Sequence, residues 1–502
     1  MRRSYSRLWR NVRILRRALP GVAVILCISI AQMDAQNLTP EELAKKVQLL
    51  TDAVGRAQEQ LEQSERQLSD LRQQLDDVRR QMNVGKEDPD PTVDAQQLAA
   101  QVEALKETQA VQASEIATHE QSKVESMSKY PIKVSGLVLL NGFVNTNQVD
   151  MPATPTVALP GAGSTGATMR QTVLGIDARG PHVFGAASRA DVRTDFFGST
   201  GGGATYNTAG LLRLRTAHAD LDWDKTELFF SLDRPLINPM QPDSLAAVAI
   251  PSLAWSGNLW TWNPQIGVSH DLPIGATVRF RTQAALIDVA DPPYSTTSPV
   301  YPASTNELGR WPGVQTRLAI ASGAEDHGFV LGAGGYFSEH RTIYEKDFDS
   351  WAATLDYRQP LPGRLELSGN FYRGLALGGL GGGAYKDYGV RPDLDNPGQF
   401  YLRPFDDRGG WAQIQEQATE RIAFNGVFGF DGVPAGEISR YPGAAAGNYQ
   451  NLARSQTFMG NVIYSPSAWL LFSLEYRHLA SYSVNAPAAT SNVIGVAAGY
   501  KF

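Results

Sequence analysis

Between Val278 and Leu286 the chain places Val278, Phe280, Ala284 and Leu286 on one face and Arg279, Arg281 and Gln283 on the other. Residues 470–477 do the same, with Leu470, Phe472, Leu474 and Tyr476 against Ser473, Glu475 and Arg477. Period two is the repeat of a β-strand, so each segment has an apolar face and a charged one. The C-terminal stretch follows suit, with Ile494, Val496, Ala498, Tyr500 and Phe502 at every second position and Val493, Gly495, Ala497, Gly499 and Lys501 between them. Charge on the inside and hydrocarbon on the outside invert a soluble barrel and suit a strand in lipid. In lipid no backbone N–H or C=O can stay unpaired, so such strands imply a closed barrel around a watery lumen.

The same period recurs from Lys133 onward in roughly 16 segments, read at 133–145, 168–180, 183–196, 211–224, 226–233, 260–270, 274–287, 311–322, 327–340, 348–359, 363–376, 410–418, 421–429, 455–465, 468–482 and 490–502. Long connections alternate with turns such as Pro181–His182, Lys225, Asp271–Pro273 and Pro360–Pro362. A membrane barrel with short periplasmic turns and long external loops requires that alternation. An even strand count leaves both barrel ends on the periplasmic side.

The first 130 residues are different. Residues 37–129 hold no Phe, Tyr or Trp, whereas 44 of the 46 aromatics follow from Tyr130. Seven arginines and then the apolar Gly21–Ala31 read as a secretory signal over residues 1–35, too short to span as a helix, with an uncleaved anchor the alternative. The one cysteine, Cys27, lies within it, leaving the mature chain no thiol or disulfide. In residues 37–82, Val47, Val54, Leu61, Leu68, Leu75 and Met82 alternate with Leu43, Leu50, Ala57, Ser64, Leu71 and Val78 in a heptad register, which predicts an α-helical coiled coil. Residues 83–94, with Gly85, Pro89 and Pro91, read as a linker, and 95–130 as a second helical segment with weaker heptads, leaving 131–502 for the barrel.

Removing the seven arginines and one aspartate of residues 1–35 takes the formal charge from −6 to −12, which argues against a nucleic-acid partner. The seven histidines have no metal-ligand spacing, and neither a metal nor a cofactor is expected. Gly378–Gly383 lacks the following lysine and helix of a phosphate cradle and reads as loop. Asp393, Asp395 and Asn396 make a marginal cation site. No local Ser, His and acid motif suggests an enzyme.

Alternation points Arg189, Arg193, Arg279, Arg281 and Arg317 into the lumen, with Arg179 a further candidate, and the Arg279–Arg281 pair is expected at its narrow point. Planar, permanently charged guanidinium groups there can replace part of a carboxylate's hydration, although acids such as Asp191 and Asp195 share the face and allow plain wall reinforcement. Pro235–Asn258, apolar, proline-stiffened and with Asp243 its only charge, suits a lining folded inward, an ordinary subunit-contact loop being the alternative, and Asp233 and Arg234 stand at its entrance.

The run Leu212–Trp223 followed by Leu228-Phe229-Phe230 resembles the strand pair before the constriction loop of trimeric outer-membrane porins. With the coiled coil and the opening Ile132-Lys133-Val134-Ser135-Gly136, the architecture resembles the DcaP-like porins. The resemblance implies a homotrimer of 16-stranded barrels in the outer membrane, with a periplasmic coiled coil, passing small anions including dicarboxylates. It also implies that Tyr500 and Phe502 belong to the signal read by the barrel-assembly machinery, and that lipopolysaccharide surrounds the barrel. A structural tether to peptidoglycan, or a barrel enzyme, is the rival reading.

Overall fold

The structure, a computed structural model, describes residues 131–198, 210–275, 277–292, 303–323, 328–443 and 449–502. The signal, coiled-coil, linker and second helical assignments, Val47, Leu50, Val54, Leu61, Leu68, Leu71, Leu75 and Val78 among them, lie outside the described residues.

The chain forms β1 (Ile132–Val149), β2 (Ala158–Thr168), β3 (Val173–Val183), β4 (Ala186–Asp195), β5 (Arg213–Trp223), β6 (Thr226–Asp233), β7 (Asn263–Ile274), β8 (Val278–Ile287), β9 (Gly313–Ser322) and β10 (Phe329–Arg341). There follow β11 (Asp347–Leu361), β12 (Leu365–Leu375), β13 (Tyr388–Pro392), β14 (Phe400–Pro404), β15 (Asp406–Thr419), β16 (Ile422–Gly432), β17 (Leu452–Tyr464), β18 (Leu470–Ser483) and β19 (Ala489–Lys501). All but β13 and β14 share one sheet, which closes as an antiparallel barrel of 16 strands. β1 completes the ring by pairing on one edge with β19, from Leu137↔Lys501 to Asn145↔Val493. Its other edge pairs with β3 over Ile132–Leu137 and with β2 over Asn141–Val149.

Where the sequence suggests a single strand over 168–180, the partner of β1 is therefore broken at Met169–Thr172. Neither β2 nor the hairpin β13–β14 is legible by period, because Ala158–Thr168 is a run of small residues with no apolar face to repeat. The terminal residue is stitched into the wall. Gly136 N donates to Phe502 O at 2.9 Å and Phe502 N to Gly136 O at 3.0 Å. The Phe502 ring covers Gly136, where a Cβ would lie 2.6 Å from it.

The faces follow the expected inversion. On β9, Val314, Thr316, Leu318 and Ile320 point outward and are exposed, while Gln315, Arg317, Ala319 and Ala321 point inward and are buried. Short turns gather at one end. Phe184 and Gly185 close β3–β4 with φ of 51° and 82°, the left-handed pair that matches strand twist in a tight hairpin. The β1 start and the β19 end lie at this same end.

A lumen filled with water along its whole length does not survive. Among the described residues, inward loops build apolar clusters inside the barrel, one of Ile237, Leu259, Ile287, Tyr336, Leu377 and Leu380, and another around Trp255, Trp260 and Tyr385. Period two reports which face a strand turns inward, not what a distant loop places against it.

Candidate functional site

Pro235–Asn258 leaves β6 at the long-loop end and follows the inner wall, hydrogen-bonded to strand after strand. Leu236 N donates to Gln315 Oε1 on β9 at 2.8 Å, and Asn370 Nδ2 on β12 donates to Ile237 O at 3.0 Å. Asp243 N donates to Gln413 Oε1 on β15 at 2.8 Å, while its carbonyl accepts from Asn461 Nδ2 on β17 at 2.8 Å. Ser244 Oγ donates to Glu475 Oε2 on β18 at 2.6 Å, and Asn141 Nδ2 on β1 donates to Leu245 O at 2.8 Å. Gln171, fully buried in the break between β2 and β3, donates to Ala246 O at 3.1 Å and accepts from Val248 N and Ala249 N at 2.8 and 3.0 Å. Buried loop backbone has to be paired, and amide side chains offer donor and acceptor together, which accounts for the inward Asn and Gln of these strands.

The loop then doubles back. Gly257, with φ 109°, passes so close to the backbone of Gly410 and Phe430 that no side chain fits, and Thr457 Oγ1 donates to Ser256 Oγ at 3.1 Å. A second inward segment, Ala376–Asp387, packs on this return leg, and all of it is buried. The Tyr385 ring stacks on Trp255 at 4.0 Å and meets Tyr449 at 4.3 Å. Gly383 N and Ala384 N donate to Asp407 Oδ2 and Asp431 Oδ2 at 2.6 and 2.7 Å. Fully buried Lys386 donates through Nζ to the carbonyls of Ala384, Tyr449 and Leu452 at 2.6, 2.8 and 2.6 Å, and burial pushes its pKa down to about 7. The glycine run from Gly378 thus serves close packing: a Cβ on Gly378 would lie 2.7 Å from the Lys386 backbone.

What the loop leaves partly uncovered is the inward face of β4 to β8, and it is charged. Arg189 reaches Asp220 at 2.9 Å, Asp222 at 3.1 Å and Glu227 at 2.5 Å. Arg193 reaches Asp177 at 2.5 Å and Asp191 at 3.4 Å. His218 bridges Asp191 and Asp233 at 3.0 and 3.2 Å, tying the wall to the entrance of the loop. Arg281 grips Asp271 through two contacts of 2.7 Å, and Arg317 grips Asp356 at 2.9 and 2.6 Å while donating to Gln283 at 2.9 Å. The part-exposed pairs of Arg189, Arg193 and Arg281 are worth about 0–1 kcal/mol each and serve mainly to hold side-chain direction, whereas Arg317–Asp356 is buried on the neighbouring wall, where loss of either partner would leave an uncompensated charge.

Arg179 is exposed beside Arg189 on the β3–β4 pair. Arg279 and Arg281 pair with Pro273 and Asp271 next to the β7–β8 turn. They therefore stand at the short-turn end, away from the level where the inward loop departs from β6. Asp233 and Arg234 sit at that departure, and Asp243 accepts from Gln413 Nε2 at 2.6 Å on the far wall. Asp393 accepts from its own turn, Asp395 N and Asn396 Nδ2 both at 3.0 Å, and among the described residues no cluster of His, Cys, Asp and Glu could hold a metal.

Three further arginines converge at the loop level. Arg213 donates to Asp195 Oδ2 at 2.6 Å and to Ala249 O at 2.7 Å, and Arg215 lies 3.6 Å from the same, fully buried, Asp195. Both guanidinium groups lie over Trp262, at 5.0 and 5.2 Å, and Arg170 covers Phe197 at 4.4 Å. Arg215 Nη1 and Arg234 Nη1 have no hydrogen-bond partner. Continuing the β5–β6 register past Ala217↔Leu232 brings Arg215 opposite Arg234. The alternation Leu212-Arg213-Leu214-Arg215 carried the signal for two of these; Arg170, in the strand break, has no period to reveal it.

No protein-family model matches the chain, and no curated protein is significantly similar to it in sequence. Solved structures are similar in fold. The outer membrane channel DcaP of Acinetobacter baumannii superposes with a TM-score of 0.54 at 16% identity, over 75% of this chain and 99% of that one. An anion-selective porin from Comamonas acidovorans gives 0.47 at 10% identity, over 74% and 100%. From Ile132 to its C-terminus, this chain has the 16-stranded barrel fold of the DcaP outer membrane channel.

Proposed function

We propose that the protein is an outer-membrane channel through which small hydrophilic solutes diffuse passively, favouring anions such as dicarboxylates, and that it catalyses no reaction. In this reading it works as a homotrimer folded by the barrel-assembly machinery, and the coiled coil extends into the periplasm towards peptidoglycan. The observation that carries it is the division of the lumen: an inward loop bound to the wall from β9 round to β1, facing an uncovered charged sector on β4 to β8. The anion preference is supported by the local charge balance at the loop level, where Arg213, Arg215 and Arg234 share only Asp195 and Asp233, whereas Arg189, Arg193 and Arg281, nearer the short-turn end, are matched by carboxylates.

The test is the reversal potential in a planar bilayer under a salt gradient, for wild type and Arg215→Ser/Arg234→Ser. Arg213 still pairs with Asp195 and His218 with Asp233 in the variant, so folding is preserved. A unit charge a few Å from a passing ion is worth about 1–4 kcal/mol between bulk water and a protein surface. The variant should shift towards cations by several-fold in permeability ratio, most at low salt, and added dicarboxylates should block it less. An unchanged reversal potential in a folded double variant would remove the anion preference, and absence of conductance in wild type would remove the channel.

A further inference from the structure

The outer face of β12, β15, β16 and β17 carries a row that solute passage does not use. Arg373 pairs directly with Arg408, Arg408 with Gly432, Gly432 with Arg454, and Arg454 with Tyr482. All the side chains in this row point away from the lumen, at the long-loop end. Like charges directly opposite one another across a strand pair are destabilising, so Arg373 beside Arg408 is a cost that an anion between them would remove. Arg373 finds one locally, Asp406 at 3.0 Å. Arg408 and Arg454 are exposed and have no acidic partner among the described residues, and the Arg454 guanidinium lies over the Tyr482 ring at 4.0 Å. Between them stands Gly432, where even a Cβ would come within 3.2 Å of Arg454. With strands about 4.8 Å apart, the backbones carrying the two arginines stand roughly 10 Å apart across Gly432, which adds no side chain of its own.

Immediately below, towards the middle of the barrel, lie Phe371 and Phe430, then Phe428 and Phe458, with Ile414 and Phe424 beneath them. Phe371, Phe428 and Phe458 are exposed on the outer face. Phenylalanines suit the acyl chains, whereas Tyr482, in the arginine row itself, has the amphipathic ring that sits at the boundary between hydrocarbon and headgroups. The arginines therefore stand at headgroup height, above a surface that suits acyl chains. Guanidinium is the side chain best matched to phosphate, donating in a planar fork.

We propose that Arg408 and Arg454, flanking Gly432 and supported by Arg373, bind the phosphate groups of an outer-leaflet glycolipid, the phosphorylated headgroup of lipopolysaccharide, with its acyl chains on the aromatic and aliphatic face below. This rests on the reading that the barrel spans the outer membrane with its long loops outward. The site lies outside the lumen, so its failure is distinguishable from failure of the channel.

The experiment uses the full chain purified in detergent, with a deep-rough lipopolysaccharide and the same lipid stripped of its phosphates as probes. Wild type should retain the phosphorylated lipid with an affinity that falls as salt rises. Arg408→Ser/Arg454→Ser should retain several-fold less while single-channel conductance stays unchanged, and Arg408→Lys/Arg454→Lys should recover part of the loss. Wild type should hold the stripped lipid no better than the serine variant holds the intact one. Equal retention by wild type and the serine variant, or equal binding of the two lipids by wild type, overturns the proposal. So does full displacement by inorganic phosphate at the lipid's own phosphate concentration, which would make this a free-phosphate site, or cross-linking of Arg408→Cys between chains, which would make it a contact with a second copy. Should the serine variant fail to fold, the comparison of the two lipids on wild type decides alone.

Discussion

Gln171 is the residue whose loss should tell most about the inward loop. Its side chain is fully buried and satisfies three loop groups, the carbonyl of Ala246 and the amides of Val248 and Ala249. Truncation to Ala strands all three. An unpaired buried polar group costs about 1–3 kcal/mol, so three would cost about 3–9 kcal/mol if water stayed out. The lumen borders water, and with hydration of the vacated site the loss falls to about 1 kcal/mol per bond, roughly 3 kcal/mol in all. The backbone ladder of β1 with β2, β3 and β19 does not pass through this side chain, so the deficit is local: the barrel stays assembled while residues 245–250 leave the wall more often. About 3 kcal/mol corresponds to roughly a hundredfold in a local opening equilibrium, which hydrogen exchange at Val248 and Ala249 reads directly and which should appear as added noise in single-channel current. Unchanged protection at both amides, with a quiet current, would show that the bonds made by Asn141, Gln413 and Asn461 hold the loop without Gln171, and the stitching argument would fail.

Two further perturbations probe the frame. Deleting Phe502 removes a reciprocal pair of backbone bonds to Gly136 and the ring over it, so the amount of heat-modifiable barrel recovered from membranes should fall while surviving barrels conduct normally; normal recovery would count against a role in assembly. Lys386 has its pKa pushed down to about 7 by burial, so between about pH 7 and its unfolded pKa near 10.5 the unfolded chain binds the extra proton and stability rises with pH. The melting temperature of wild type minus that of Lys386→Met should accordingly increase from pH 7 towards pH 10, and a flat difference would mean that the buried amine keeps its proton throughout.

The strand frame was legible because lipid imposes a one-dimensional rule on each strand. At the depth of the hydrocarbon an outward residue must be uncharged and is mostly apolar, so the period in Val278–Leu286 or Leu470–Tyr476 settles local orientation without knowledge of any neighbour. The alternation of short and long connections then sets the strand count and the two ends. The lumen obeys no such rule, since its occupants come from distant parts of the chain. The alternation turned Gln315, Gln413 and Asn461 inward but could not say that they hold one loop, because each bond joins residues far apart in sequence. It turned Arg279 and Arg281 inward and could not say at what depth, since depth depends on the slant and register of neighbouring strands and on where the loop leaves β6. The burial of Ala376–Asp387 was hidden for the same reason: a glycine-rich run reads as loop, and only tertiary packing brings Trp255, Asp407 and Asp431 to it. Sequence alone determined the wall wherever period two holds, because there each residue answers to the solvent beside it, and missed it at β2, where small residues leave no period. Tertiary structure decided the lumen, where each answers to whatever the rest of the chain has placed there.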